Sequence, residues 1–334
     1  MQTPNITIVT PLYNSEATLA RYLGSVFRSS YRDFEVILVD DCSACDYRGI
    51  IQDFPVVYTK LSKRGGSAAA RNAGTKLAHG EILLFIDPDI IIGQDSLQKV
   101  VEVFHSHPEI DALIGSYDAD PGARNNTSRF KFLFHHYIHQ REGDYVFSFW
   151  TGFGAIKRTT FETISGFDAC FFSRPNTIFD VELGYRLIQK GYRIYNAKQI
   201  QVKHLKRLAY FQWLRTDIMD RALPWIKIIL TYRDLKPRLN IRFGDSLSSL
   251  CIGGSIILFC LPHEGHAVVA AGFLLVPLFI NHRTIYFFVK QRGVSFGLLS
   301  ILYLYIYYFM CFIIVPLGVF LFLLERAGVR HTLW

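Results

Sequence analysis

Ile82-Leu-Leu-Phe-Ile-Asp-Pro-Asp89 is a continuous apolar run of strand-forming length that ends in two carboxylates one residue apart. Similar short, β-rich runs precede it at Ile6–Thr10, Glu35–Asp40 and Val56–Leu61. Helical patterns lie between them. Glu16–Arg28 places Leu19, Tyr22, Leu23, Val26 and Phe27 on a three-to-four spacing, and Ser67–Ala78 is rich in alanine. Strands alternating with helices predict an α/β fold, a mostly parallel, Rossmann-like sheet covered on both faces. Ligands of such sheets sit beyond the C-terminal ends of the strands. Asp40-Asp41 and Asp87-Pro88-Asp89 both fall there.

Further along, Asp144–Ile156 reads as a strand pair, Asp180–Lys190 as a helix and Tyr192–Tyr195 as a short strand. Beyond that point the composition breaks. The 334 residues are 50% hydrophobic, with a mean hydropathy of +0.20 and only 19% charged side chains, against roughly 25% in soluble domains. That composition excludes a disordered chain. Residues 1–245 hold 57 of the 64 charges, and residues 246–324 hold four: Glu264, Arg283, Lys290 and Arg292. The break reads as a soluble domain followed by a membrane domain of about three spans, 246–261, 267–281 and 294–324. The first two are short for a crossing and flank the tight turn Pro262-His263-Glu264-Gly265-His266.

The net charge of +8 is local, because residues 203–242 carry ten Lys/Arg and three Asp. Such a cluster directly before an apolar block fits anionic head groups and positive-inside topology better than nucleic acid, which is not expected as a partner. Arg207–Tyr232 sets Leu208, Phe211, Leu214, Ile218 and Trp225 against Arg215, Asp217, Asp220, Arg221 and Lys227. We expect basic amphipathic helices over 206–245 lying in the membrane interface, and a tail over 325–334. Positive charges before the first span and at Arg283, Lys290 and Arg292 place the soluble domain and a 282–293 loop inside. Met1-Gln-Thr-Pro-Asn lacks a charged-then-apolar leader, which agrees with a cytosolic first domain. Cys42, Cys45, Cys170, Cys251, Cys260 and Cys311 form no paired framework and read as solitary thiols.

Three elements carry chemistry. Asp87 and Asp89 suit a hard divalent cation that takes phosphate oxygens as further ligands, although surface turns also produce Asp-x-Asp. Asp41 has the acceptor oxygens a nucleobase N–H or ribose hydroxyl needs, and is equally placed for a helix cap or Asx turn. Gly65-Gly-Ser-Ala-Ala-Ala-Arg71-Asn-Ala-Gly74 puts a cation on the helix after the third strand, without the ending of a P-loop.

In this order and spacing the elements resemble family 2 of the inverting nucleotide-sugar glycosyltransferases, of GT-A fold. The stretches are Thr10-Pro-Leu-Tyr-Asn14, Val39-Asp-Asp-Cys-Ser43, Ala70-Arg-Asn-Ala-Gly74 with His79-Gly-Glu81, Phe85-Ile-Asp-Pro-Asp89, Gly166-Phe-Asp168, and Asp180-Val-Glu-Leu-Gly-Tyr-Arg-Leu187 with Gly191-Tyr-Arg-Ile194. The likeness covers about residues 5–205, and the GT-A domain is expected over 1–205. It implies that Pro11 and Tyr13 line a base pocket, that Asp41 accepts from the base and that Arg71 neighbours the nucleotide. Asp89 would ligate Mg²⁺ or Mn²⁺, with Asp87 near the ribose or a metal-bound water. Asp180 matches the general base, where Phe179 replaces the acid that usually precedes it. His204 matches a histidine that in some members faces the metal or diphosphate; between Lys203 and Lys206 it reads equally as a solvated residue. Trp150-Thr151-Gly152 sits where acceptor loops lie, and core aromatic packing explains it as well.

The apolar C-terminal block and the charge pattern, taken with the resemblance, imply an integral membrane enzyme, its catalytic domain at the cytosolic face of a bacterial inner membrane. It would move a sugar from a nucleotide donor, UDP-linked by preference, to a lipid or lipid-linked acceptor. The Gln-x-x-Arg-Trp signature of processive synthases is absent, which disfavours the alternative of a polysaccharide synthase. A second alternative, a nucleotide-sugar-binding scaffold with weak catalysis, is motivated by Phe179.

Overall fold

The computed structural model describes residues 5–172, 174, 177–233, 243–262 and 264–329. The chain forms two compact units. The first comprises the chain through Arg124 together with His139–Arg207; the second comprises Asn125–Ile138 and the chain from Leu208 onward.

In the first unit, β1 (Ile6–Leu12), β2 (Phe34–Asp40), β3 (Val57–Lys60) and β4 (Ile82–Ile86) pair in parallel in the order β3-β2-β1-β4. Helices α1 (Glu16–Val26), α2 (Arg48–Ile51) and α3 (Gly66–Thr75) connect them. Every residue of β1 and β4 is buried, as continuous apolar runs require. Leu19, Tyr22, Leu23 and Val26, on the spacing read from the sequence, form the buried side of α1. Gly74 lets α3 lie directly on the sheet: a Cβ there would stand 2.5 Å from Val9 Cγ1 and 3.0 Å from Val39 Cγ2.

Beyond β4 the sheet changes character. The chain continues through β5 (Ile90–Ile91), α4 (Ser96–Ser106), β6 (Ala112–Tyr117), α5 (Asn126–Arg141, most of it in the second unit), β7 (Tyr145–Val146), β8 (Phe153–Lys157), α6 (Arg158–Thr163), α7 (Phe179–Gln189) and β9 (Ile194–His204). β8 enters antiparallel between β4 and β6, and β5 and β7 pair antiparallel with β9. The sheet is therefore mixed as a whole, and its parallel half is the half that the alternating pattern predicts. Phe85 on β4 packs against Phe149, Phe161 and Phe167, and Phe167 against Phe179. This aromatic cluster joins the sheet to α6 and α7.

In the second unit, α8 (Tyr210–Arg215), a π-helical turn (Thr216–Ala222) and α9 (Leu223–Tyr232) follow one another without a break. Asp217, which the amphipathic reading put on the polar face, is buried instead. It pairs with Lys131 (2.6 Å) and Arg221 (2.7 Å) and accepts the Trp213 indole N–H (2.8 Å). The expected basic stretch 206–245 lies partly, at 234–242, outside the described residues.

The remaining helices are α10 (Phe243–Cys260), α11 (Glu264–Ile280), α12 (His282–Arg292) and α13 (Val294–Arg326). Among the described residues, α10 and α13 are long and apolar enough to cross a membrane, with mean hydropathies of 1.5 and 2.5. α11 and α12 reach that standard only as a pair and are bent by 62°. Residues 282–292, expected as a loop, are helical. α12 buries Thr284 and Phe288, which the count of charges along the segment hid. Polar contacts tie these helices together. Tyr308 Oη reaches Asp245 Oδ1 and Asn281 Oδ1, both at 2.8 Å, and Ser255 Oγ donates to the Ala270 carbonyl.

Candidate active site

The first unit collects its chemistry at the C-terminal ends of β1, β2 and β4. Pro11 is buried in β1, and Tyr13 just beyond the strand is 41% exposed. The loops that follow β1 and β2 are sewn together. Asp41 N–H donates to the Leu12 carbonyl, Asn14 N–H to Ser43 Oγ, and Ala44 N–H to Asn14 Oδ1. Asn14 (φ 48°) and Cys42 (φ 60°) adopt left-handed backbone that non-glycine residues rarely take, held by this network.

Asp40 and Asp41 have different tasks. Asp40 is fully buried and accepts from Ser43 N–H (2.7 Å) and Tyr58 Oη (2.9 Å), with Lys60 Nζ at 3.2 Å. Burial opposes its charge, but these partners hold its carboxyl below the usual range. Asp41 directs Oδ1 at Gly65 N–H (2.6 Å) and Oδ2 at Gly66 N–H (2.9 Å), binding the entry to α3. Gly66 has φ 82°, which explains the second glycine of the pair.

That anchoring aims α3 so that Arg71 points inward. Its side chain is 1% exposed, forms an ion pair with Asp87, and lies over the Phe179 ring with Cζ 5.3 Å from the centroid. Its Nε has no partner among the described residues. Burial pulls the guanidinium below its ordinary value, and the charges of Asp87 and Asp180 oppose this. Phe179, at the position of the missing acid, is thus a core aromatic that also carries a buried cation.

Asp89 meets His204 because the two-residue strand β5 brings them together. β5 starts immediately after Asp89 and pairs with the end of β9, placing Ile90 opposite His204. His204 Nε2 then stands 3.2 Å from Asp89 Oδ1, and its ring stacks on Tyr117 at 4.9 Å and 8°. His204 is buried, so the solvated reading of this residue does not apply. Burial disfavours the Asp89 carboxylate, but His204 and then Lys206 hold it below the usual range. Desolvation raises Asp87, against the pull of Arg71.

Asp180 is the first-turn acid of α7. Its Oδ2 accepts from Thr151 N–H (3.1 Å) and Thr151 Oγ1 (3.2 Å), and its Oδ1 from Val181 N–H (2.9 Å). Burial raises its pKa despite Thr151 and Arg71, which suits a proton acceptor better than an ordinary surface carboxylate. Thr151 is buried, and Trp150 packs edge-on against Tyr117 and His139. Gly152 is required there, since a Cβ would fall 2.3 Å from the Trp150 ring.

Asp89 and His204 supply one carboxylate and one imidazole. Among the described residues no group of three or more His, Cys, Asp or Glu side chains is arranged around a cation. Two protein donors fit a Mg²⁺- or Mn²⁺-type site that takes its other ligands from phosphate and water. Two residues escaped the sequence reading. Tyr117, the shelf for His204, ends β6 and was discoverable by the strand-end rule. Arg64, with Cζ 4.0 Å from the Tyr13 ring centroid, follows Lys63 in the segment before α3, where no motif points to it.

Known proteins resemble this chain in sequence and in fold. Residues 7–165 match the model of glycosyl transferase family 2. The YwdF glycosyltransferase of Bacillus subtilis is 30% identical over 169 residues, 49% of this chain and 62% of the relative. An uncharacterized glycosyltransferase of Haemophilus influenzae is 33% identical over 111 residues, 32% of this chain and 37% of the relative. The chain therefore spans less than two thirds of the length of either. The mannosyltransferase PcManGT of Pyrobaculum calidifontis, solved with GDP-Man and Mn²⁺, shares the fold with a TM-score of 0.59. That superposition covers 95% of this chain and 88% of the other, at 16% identity.

Proposed function

Because residues 7–165 match the model of glycosyl transferase family 2, we propose that this chain transfers a sugar from a nucleoside-diphosphate donor to an acceptor hydroxyl, with inversion, at a membrane surface. The observation that carries this reading is the convergence at one end of the sheet of Asp89 with His204, Arg71 with Asp87, and Asp180 with Thr151.

Pro11 and Tyr13 line the base side of the donor pocket, next to Asp41 and the α3 entry. Asp89 and His204 would hold Mg²⁺ or Mn²⁺, which neutralises charge on the diphosphate leaving group. Arg71 adds fixed positive potential close to the reacting centre in a low-dielectric setting. Asp180 takes the proton from the acceptor hydroxyl as its oxygen attacks the anomeric carbon. Thr151 orients Asp180, and burial brings its basicity closer to neutral pH. With Asp180 acting as a base on the acceptor and not as a nucleophile on the sugar, the reaction is a single displacement, hence inversion. Trp150, Thr151 and Gly152 form the acceptor side.

The apolar α10 and α13 support a membrane location and, with it, a lipid or lipid-linked acceptor. In this reading residues 1–205 are the catalytic domain at the cytosolic face of a bacterial inner membrane. Residues 206–245 lie at its surface, 246–324 form the membrane region and 325–334 a tail. The test is nucleotide release from UDP-, GDP- and dTDP-sugars with Mg²⁺ or Mn²⁺, with and without native lipid extract. Release that needs the lipid extract and disappears in Asp180→Asn is expected. Undiminished transfer by a folded Asp180→Asn protein would remove Asp180 from the mechanism.

A further inference from the structure

Resting on that donor reading, we propose that Arg64 reads the donor's nucleobase, its guanidinium donating to a carbonyl oxygen on the edge of the base while supported by Tyr13. Arg64 and Tyr13 come from opposite sides of Asp41, and both backbones are anchored there. Arg64 precedes Gly65, whose N–H is fixed by Asp41 Oδ1 at 2.6 Å; Tyr13 follows Leu12, whose carbonyl accepts the Asp41 N–H at 2.8 Å. The guanidinium lies 4.0 Å from the Tyr13 ring centroid, yet the ring remains 41% exposed, so aromatic surface is left for a base.

A guanidinium over a ring face spends none of its N–H groups on that contact. Among the described residues those of Arg64 meet no acceptor. Asp41, expected to accept from the base, takes one N–H on each carboxylate oxygen, from Gly65 and Gly66, and keeps lone pairs for a further donor. The unspent donors beside Tyr13 belong to Arg64. A planar donor fork favours a base edge with a carbonyl oxygen, as in uracil or guanine, and opposes the amino group of adenine.

The test is calorimetric titration of the full chain in detergent with UDP, GDP and ADP, each with Mg²⁺, for wild type, Arg64→Gln and Arg64→Lys. Wild type is expected to prefer UDP or GDP over ADP. Both variants should shrink that preference about tenfold, the scale of one directed base contact, with ADP affinity changing little. Arg64→Lys separates the fork from the charge, and the exposed position leaves melting temperatures unchanged. An unaltered ratio in Arg64→Gln overturns the proposal. So does an equal loss for all three nucleotides, which marks a phosphate contact, or full selectivity in Arg64→Lys. Absence of any nucleotide binding by wild type would instead overturn the donor reading, and this proposal with it.

Discussion

Gly184→Ala tests whether packing behind the base sets its position. Gly184 lies one turn beyond Asp180 on α7, pressed against the segment that leads to Thr151. A Cβ there would stand 2.5 Å from Phe149 N, 2.6 Å from the Phe147 carbonyl oxygen and 2.7 Å from Ser148 Cα. Two of these atoms are main-chain polar groups and the third is Cα, so no side chain can swing aside. Reaching ordinary contact at 3.4 Å requires about 0.9 Å of separation between α7 and residues 147–149. If α7 carries Asp180 with it, the 3.1 and 3.2 Å hydrogen bonds from Thr151 stretch to about 4 Å and are lost.

Two consequences are expected. Overpacking destabilises the domain by about 1–3 kcal/mol, and a misplacement near 1 Å costs about 10²-fold in turnover. The pH profile should move as well. Burial already raises the Asp180 pKa, and both Thr151 bonds work against that rise. Removing them favours the protonated acid still further. The base acts only when ionised, so the acid limb of kcat/KM should shift to higher pH in the variant. Gly143→Ala is the control, because its Cβ would meet only the Tyr145 carbonyl oxygen at an ordinary 3.9 Å. The assay is nucleotide release across pH 4–8 together with thermal melting. A folded Gly184→Ala enzyme with wild-type turnover and an unmoved acid limb would refute the coupling of α7 packing to the base.

Two further expectations concern the metal pair and the second unit. His204→Ala should weaken Mn²⁺ binding by the nucleotide-loaded protein, read by the paramagnetic resonance of free Mn²⁺, and Tyr117→Leu should weaken it less by releasing the ring that His204 stacks on. Identical Mn²⁺ affinity in all three proteins would count against that site. Asp217→Asn leaves Lys131 buried without its counter-charge, at a cost of about 3–5 kcal/mol, read as a lower melting temperature in detergent. Burial opposes the Asp217 charge, but Lys131 and Arg221 hold its pKa below the ordinary 3.8. The stabilisation from this ion cluster is therefore present above that value and is lost as pH falls through the lowered one, a loss the Asn variant should not show.

What the sequence disclosed and what it hid follow from the range of the interactions. β1 to β4 and α1 and α3 were legible because an apolar run or a helical spacing is local, and the runs of β1 and β4 are buried from end to end. The antiparallel entry of β8 between β4 and β6 was not legible, because it depends on pairing residues about 70 positions apart, Phe85 with Gly154 among them. The same holds inside the site. Asp89 could be placed at a strand end from its neighbours alone, but its meeting with His204 depends on the two-residue strand β5 finding the end of β9.

Asp41 and Arg64 show the distinction most sharply. Asp-Asp at a strand end gives two interchangeable acids on paper. Only the folded chain assigns Asp40 to the buried Tyr58–Lys60 cluster and Asp41 to the α3 entry. Asp41 keeps lone pairs beside that structural task, and the base contact proposed for Arg64 next to it is one that no local pattern announces. Long-range hydrogen bonds thus redistribute work among residues whose types were already visible. If that is right, Asp41→Asn should fail first as a structural variant, loosening the α3 entry and the aim of Arg71. Its melting temperature should fall, whereas Arg64→Gln should leave stability intact and change nucleotide selection.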